Sequence, residues 1–299
     1  MFHHEVSNKK STNVRVSKLQ QFNSILSRLS RPLAAKLAER LFVTPISTRQ
    51  PARESAWAEG AERTRISSPL GPIPVWVWGE GPETVVLVHG WSGRGLQLGA
   101  FVEPLVARGF RVVTHDAPGH GVARGRTSSM PAFAATLGAV GRRFGPVAAV
   151  IAHSLGSTAT IYAFAQRELV ADRFIAISPA ARLHAIRERF GEMTGFTPSV
   201  IDRMRLAFED RLGFNWETSE PLRLAPEMAM PSMVIHDAKD RFIPHSEGAE
   251  LADAWPDGQL ITTTGLGHHR ILRDSTVIDS VLSFILESSE ENYLERRAS

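Results

Sequence analysis

An α/β fold, built as a mostly parallel sheet flanked by helices with a helical insertion, is predicted by three features of this 299-residue chain. Short apolar runs rich in Val and Ile, such as Thr84–Val88 and Val147–Ile151, read as strands covered on both faces, as in parallel sheets. Stretches of helical periodicity alternate with those runs. Several runs end in Gly- or Asp-bearing loops, and the C-terminal edge of an open parallel sheet is where such folds place their ligand sites.

Composition sets the bounds. With 43% hydrophobic and 22% charged residues the chain is ordinary for a soluble globular protein, and its length suits one large domain with insertions. The absence of cysteine excludes disulfides, thiolate metal ligands and a cysteine nucleophile, and accords with a reducing compartment. A formal charge of +3 is too slight to point to nucleic acid. No run has the length of a membrane span and no signal-peptide core is visible, so a cytoplasmic protein is expected. The oligomeric state is not readable.

The elements follow in order. Residues 1–17 are polar and expected to be disordered. Leu19, Phe22, Ile25, Leu26 and Leu29 then recur at helical spacing; Pro32 suits a first helical turn, and Leu33, Leu37 and Leu41 continue the stripe. Arg28, Arg31, Lys36 and Arg40 lie between them. This pattern fits a helical extension packed on its own domain with a solvated basic face, in preference to a helix resting on a membrane surface or a partner. Residues 44–60, with Pro45, Pro51 and Gly60, read as a linker. Residues 1–60 thus form a tail, extension and linker, and residues 61–299 the main domain.

Arg63–Ser67 and Ile73–Trp78 read as a hairpin around a Pro/Gly turn. The strand Thr84–Val88 ends in His89-Gly90-Trp91-Ser92-Gly93-Arg94-Gly95. Its glycines raise phosphate binding, but the G-x-x-x-x-G-K-[ST] pattern is absent. A helix over Phe101–Gly109 and a strand over Phe110–Thr114 lead to Asp116-Ala117-Pro118-Gly119-His120-Gly121. That segment reads as a structural turn in which Asp116 ties backbone, more than as a metal or catalytic pair. His89 reads as a packed, hydrogen-bonded histidine.

After a helix over Pro131–Phe144, the strand from Val147 stops at Ser154 and a helix begins, with Thr158–Ala165 its clearest stretch. Strand, sharp turn with a central serine, helix: this is the layout of a nucleophile elbow, whose close backbones demand small residues, here Ala152 and Gly156. A serine that merely caps the helix is the competing reading. The strand Arg173–Ser178 follows. From about residue 179 to 230 the alternation lapses into helix-like sequence bearing Phe190, Met193, Met204, Phe208 and Trp216. These side chains suit either the lining of a pocket or a small core of the insertion itself. The sheet resumes at Ser232–His236, followed by Asp237-Ala238-Lys239-Asp240-Arg241-Phe242-Ile243-Pro244. A last strand, Gln259–Thr263, leads into Gly265-Leu266-Gly267-His268-His269-Arg270, a closing helix from Ser275 to Leu286 and a charged tail.

Taken together, the His-Gly-Trp loop, the Asp-Ala-Pro-Gly-His-Gly turn, the elbow around Ser154, the Asp240 loop and the Gly-Leu-Gly-His segment resemble the α/β-hydrolase family, from about Arg63 to about Leu286. Ala152 departs from the glycine usual there. The resemblance implies the α/β-hydrolase fold with a cap inserted at about 179–230. It also implies a nucleophile, acid and base in the order Ser154, Asp240, His268, with the backbone N–H groups of Trp91 and Leu155 as oxyanion donors. The chemistry is coherent. A serine hydroxyl needs a histidine to take its proton, and that histidine needs a carboxylate to fix its tautomer. Asp237 lies too close to its strand to be preferred. Between the adjacent histidines, an extended segment would turn His268 and His269 opposite ways, and the Gly-x-Gly-His match selects His268. The implied function is hydrolysis of a carboxylic ester of a small acyl substrate through an acyl-enzyme, with no metal and no organic cofactor. An acyltransferase on the same triad and a non-catalytic ligand-binding protein are the alternatives.

Overall fold

Eight strands form one sheet: β1 Glu62–Ile66, β2 Ile73–Trp78, β3 Thr84–Val88, β4 Arg111–His115, β5 Val147–His153, β6 Arg173–Ile177, β7 Ser232–Asp237 and β8 Gly258–Thr263. In this computed structural model, which describes residues 18–47 and 49–298, the strand order is β1-β2-β4-β3-β5-β6-β7-β8. The disorder expectation for residues 1–17 lies outside the described residues. β1 pairs antiparallel with β2, and β2 with β4; every pairing from β4 through β8 is parallel. This is the α/β-hydrolase fold.

Alternation along the strands explains why both faces are covered. Val85 and Leu87 of β3 join Val112, Ile151, Ile175 and Phe284 in one core, whereas Val86 and Val88 join Val113, Val150, Phe174 and Leu137 in the other. A period of two sends successive side chains to opposite faces, so continuous apolar runs require helices on each side. The chain winds from β3 outward to β4 and then returns to build β5 to β8 on the other side. Strand order therefore reverses between β3 and β5, and the crevice beyond their C-terminal ends is the ligand position such sheets favour. The His89–Gly95 loop and Ser154 both emerge there.

The chain divides into two compact units. The sheet unit comprises Pro45–Ala181 and Glu220–Ser299. It includes the segment that reads as a linker, and the difference has a physical cause. The helix Ala52–Trp57 buries Glu54 against Arg94 (Nη1 to Oε2, 2.8 Å), and the Trp57 ring lies where a Cβ on Gly99 would come within 2.6 Å. Its Pro and polar residues conceal two anchors.

The second unit joins the described residues up to Thr44 with Arg182–Ser219. Helices over 18–29, Arg31–Phe42, Leu183–Thr194 and Pro198–Leu212 make it up. Its core sets Ala34, Ala35 and Ala38 against Phe196, Val200, Ile201 and Met204. The packing face is thus offset from the leucine stripe, because alanines let helix backbones approach closely. Leu19, Phe22, Ile25, Leu29 and Leu33 stay exposed, and only Leu26 and Leu37 of the stripe are partly buried in this core. Trp216 and Phe208 pack with Phe42 and Phe214, so these aromatic side chains of the insertion contribute to the unit's own core. Among the described residues no helix is long and apolar enough to cross a membrane.

Candidate active site

Ser154 stands between β5 and the helix Leu155–Ala165 with φ 54° and ψ −125°. A non-glycine residue held there is strained by about 1–3 kcal/mol, and the surrounding packing must impose it. Its Oγ makes no capping hydrogen bond to the helix, so the capping role fails. The small neighbours are unequal in importance. A Cβ on Gly156 would lie 2.4 Å from the His89 carbonyl oxygen, whereas Ala152 carries its methyl group fully buried in the core. Of the two, only position 156 strictly requires glycine.

Three side chains from different loops meet at this turn. His268 Nε2 lies 3.1 Å from Ser154 Oγ, and His268 Nδ1 lies 2.7 Å from Asp240 Oδ2. Because a carboxylate only accepts, Nδ1–H donates to Asp240, which leaves Nε2 to accept from the serine hydroxyl. Asp240 also accepts from the backbone N–H groups of Phe242 (2.8 Å) and Ile243 (3.1 Å), and His236 Nε2 lies 3.5 Å away. Burial works against its charge, but the hydrogen bonds from His236, His268 and Phe242 prevail and hold its carboxyl well below the usual carboxylate range. Asp237 is occupied elsewhere, accepting from Lys239 and Leu266 N–H and from the Thr263 hydroxyl.

His268 and His269 sit in a helical turn, Gly267–Arg270, not on extended chain. Adjacent side chains there diverge by about 100°, not 180°. His268 is buried beside Ser154, and His269 is exposed. Gly90 brings the preceding loop against the nucleophile: a Cβ on it would stand 2.9 Å from Ser154 Cβ. Trp91, the next residue, lines the same cavity as Ser154. Leu155 opens the elbow helix, where an N–H has no intrahelical acceptor.

Two histidines support the group, and of these only His153 has no sequence motif to announce it. His153, 3% exposed, donates from Nε2–H to the carbonyl oxygen of His268 at 2.9 Å. Burial first, then the neighbouring His268 and His269, lower its pKa well below the ordinary value, so it is neutral. His89 accepts from Ala117 N–H at Nε2 (3.1 Å), which makes Nδ1–H the donor to the Gly90 carbonyl (2.7 Å). It is a structural residue that braces the Gly90–Trp91 turn. Asp116 likewise accepts from Gly95 N–H and Val122 N–H, each at 2.8 Å, and ties two loops together.

The cavity over Ser154 measures about 560 Å³. Its walls come from the Gly90–Gln97 loop, Phe242, Ile243, Leu272 and Arg273, and also from Arg49, Pro51, Arg53, Glu54 and Trp57. The last group is illegible as site sequence, since no motif marks it.

Comparison with known proteins agrees with this architecture. The model of the Alpha/beta hydrolase family matches residues 85–279. Among solved structures, the Pyrococcus furiosus esterase Pf2001 superposes with a TM-score of 0.60 at 17% identity, covering 82% of this chain and 97% of that one. Est1E from Butyrivibrio proteoclasticus, solved with ferulic acid bound, gives a TM-score of 0.61 at 19% identity over 75% and 98% of the respective chains. Comparison with curated proteins gives no match.

Proposed function

Since the chain belongs to the alpha/beta hydrolase family, we propose that it is a serine hydrolase that cleaves a carboxylic ester, or a related acyl compound, through an acyl-enzyme. The observation that carries the reading is the hydrogen-bonded series from Ser154 Oγ through His268 to Asp240, at 3.1 and 2.7 Å, opening into a cavity. Ser154 Oγ attacks the acyl carbon as His268 Nε2 takes its proton. Asp240 holds the Nδ1 tautomer and stabilises the imidazolium. The backbone N–H groups of Trp91 and Leu155 receive the oxyanion, which draws its advantage from being fixed before charge develops. His268 passes the proton to the leaving alkoxide, and the acyl–oxygen bond breaks. Water, deprotonated by the same imidazole, then attacks the acyl-enzyme and releases the acid and Ser154.

The test is chemical. Ser154 should be labelled by a fluorophosphonate probe, and p-nitrophenyl esters should be hydrolysed. Ser154→Ala should abolish labelling and lower kcat by roughly 10⁴–10⁶ while the protein stays folded. Activity within tenfold of wild type would remove Ser154 from the mechanism.

A further inference from the structure

The cavity over Ser154 carries an unusual charge. Four arginines line it, Arg49, Arg53, Arg94 and Arg273, and Glu54 is the one carboxylate among the described lining residues. Glu54 is already engaged by Arg94 in an ion pair whose side chains are 4% and 7% exposed. Arg49, Arg53 and Arg273 have no carboxylate within ion-pair distance among the described residues, and all three are exposed, whereas His153 and His268 form the buried end.

Exposed arginines are common on surfaces, but the backbone that carries two of these is anchored. The segment that bears Arg49 and Arg53 is fixed to the Gly90–Gln97 loop at three points. The buried Glu54–Arg94 pair is one; Trp57 on Gly99 is the second; the third is the Ile46 N–H donating to Ser92 Oγ at 2.9 Å. A stretch with no apolar run of its own is therefore anchored by an ion pair beside the nucleophile. The anchoring keeps Arg49 and Arg53 on the cavity wall, and Arg273 lines the same cavity from the turn Ile271–Arg273. Cationic clefts concentrate anions, and the guanidinium fork matches carboxylate and phosphate oxygens.

We infer that the substrate of this site carries an anionic group, a carboxylate or a phosphate, bound by Arg49, Arg53 and Arg273 while its acyl carbon lies at Ser154. This rests on the serine-hydrolase reading and narrows its substrate class. The net reaction adds the elements of water across the acyl–oxygen or acyl–sulfur bond, and the anionic group is unchanged.

The experiment compares matched substrates. p-Nitrophenyl hydrogen adipate is set against its methyl-capped counterpart for a carboxylate, and octanoyl-coenzyme A against octanoyl-N-acetylcysteamine for a phosphate. At least one anionic member should exceed its neutral partner in kcat/KM by about tenfold or more, the scale of one or two charge-assisted hydrogen bonds. Which pair responds identifies the source of the anion. In the triple variant Arg49→Gln/Arg53→Gln/Arg273→Gln the ratio should fall towards one, and added salt should do the same in the wild type. Equal or higher rates for both neutral members, or a ratio that survives the triple variant, would overturn the inference.

Calorimetry on Ser154→Ala with adipate and coenzyme A separates the two readings. Binding to Ser154→Ala that the triple substitution abolishes, together with a wild-type protein that hydrolyses no ester, would sink the hydrolase reading and leave the anion site standing. Hydrolysis of neutral esters without anion binding or anion preference would do the reverse.

Discussion

Glu54→Ala gives the most direct test of how the cavity wall is built. Glu54 and Arg94 face each other at 2.8 Å with side chains 4% and 7% exposed. Removing one partner of a buried pair leaves a desolvated charge, which costs about 3–5 kcal/mol, far above the value of the pair relative to apolar isosteres. For a chain of this size that corresponds to a fall in Tm of about 5–8 °C. Asp116 makes the cost depend on pH. Burial pushes its carboxyl up to about 6, and among the smaller effects Arg94 lowers it and Glu54 raises it. Without Glu54, an ionised Asp116 is the nearby charge that offsets Arg94. Asp116 is ionised well above pH 6 and protonated well below it, so the variant should be penalised more at pH 5 than at pH 8. Urea denaturation followed by tryptophan fluorescence at both pH values reads the effect. Replacing Arg94 by Met as well should recover part of the loss, since the buried guanidinium that lost Glu54 is then gone. A single-variant cost under about 1 kcal/mol, or a penalty larger at pH 8, would refute the reasoning.

Gly156→Ala should destabilise by about 1–3 kcal/mol, because its Cβ would meet the backbone oxygens of His89 at 2.4 Å and Val88 at 3.0 Å, neither of which can swing away. His268→Ala should match Ser154→Ala in lost ester hydrolysis, with the double variant barely worse, while His269→Ala keeps most of the activity; the opposite ranking of the two histidines would displace the base by one residue. Asp240→Asn should lower kcat by about 10⁴, since the tautomer is no longer fixed. The protein should lose stability on acidification. His115 and His120 are lowered to about 4 by burial, and His89 and His153 are also depressed, so all four fold neutral and must be charged in acid. Their contribution is complete above the unfolded value near 6.5 and is lost as pH falls towards 4. Asp116 opposes this, its contribution falling as pH rises from about 4 to 6, but it is one group against four. A urea midpoint at pH 4.5 equal to or above that at pH 7.5 would contradict the prediction.

The sheet was legible because burial on both faces forces continuous Val/Ile runs, and a solvated segment rarely carries such a run. β8 is the instructive contrast. Gly258–Thr263 is an exposed edge strand, and its sequence alternates weakly, yet it is placed by the Gly-x-Gly-His loop that must follow it. The meeting of Ser154, Asp240 and His268 was legible for a different reason: each lies in a loop or turn that follows a strand and has its own chemistry, and their order in the chain is informative. The Gly-x-Gly-His match favours His268 over His269, whereas the opposite orientations expected of extended chain do not apply, because a helical turn stands there. His153 and His236 were not legible, because a histidine that donates to a backbone carbonyl or faces a carboxylate across a loop leaves no local pattern.

The segment from Pro45 to Gly60 shows why the rest was hidden. Prolines, glycine and charged residues raise the polarity of a stretch in the same way whether it is solvated or anchored. What distinguishes the two states is a partner distant in sequence, here Arg94 for Glu54 and Gly99 for Trp57. Gly99 is itself uninformative until the indole fills the space its missing side chain leaves. A buried ion pair is a costly way to hold a segment, since desolvation offsets most of the attraction, and an apolar pair of equal volume would serve stability as well or better. Its use beside Ser154 therefore calls for a reason other than stability. The pair neutralises the one carboxylate among the described residues that line the cavity, which is what the proposed anion site at Arg49, Arg53 and Arg273 requires.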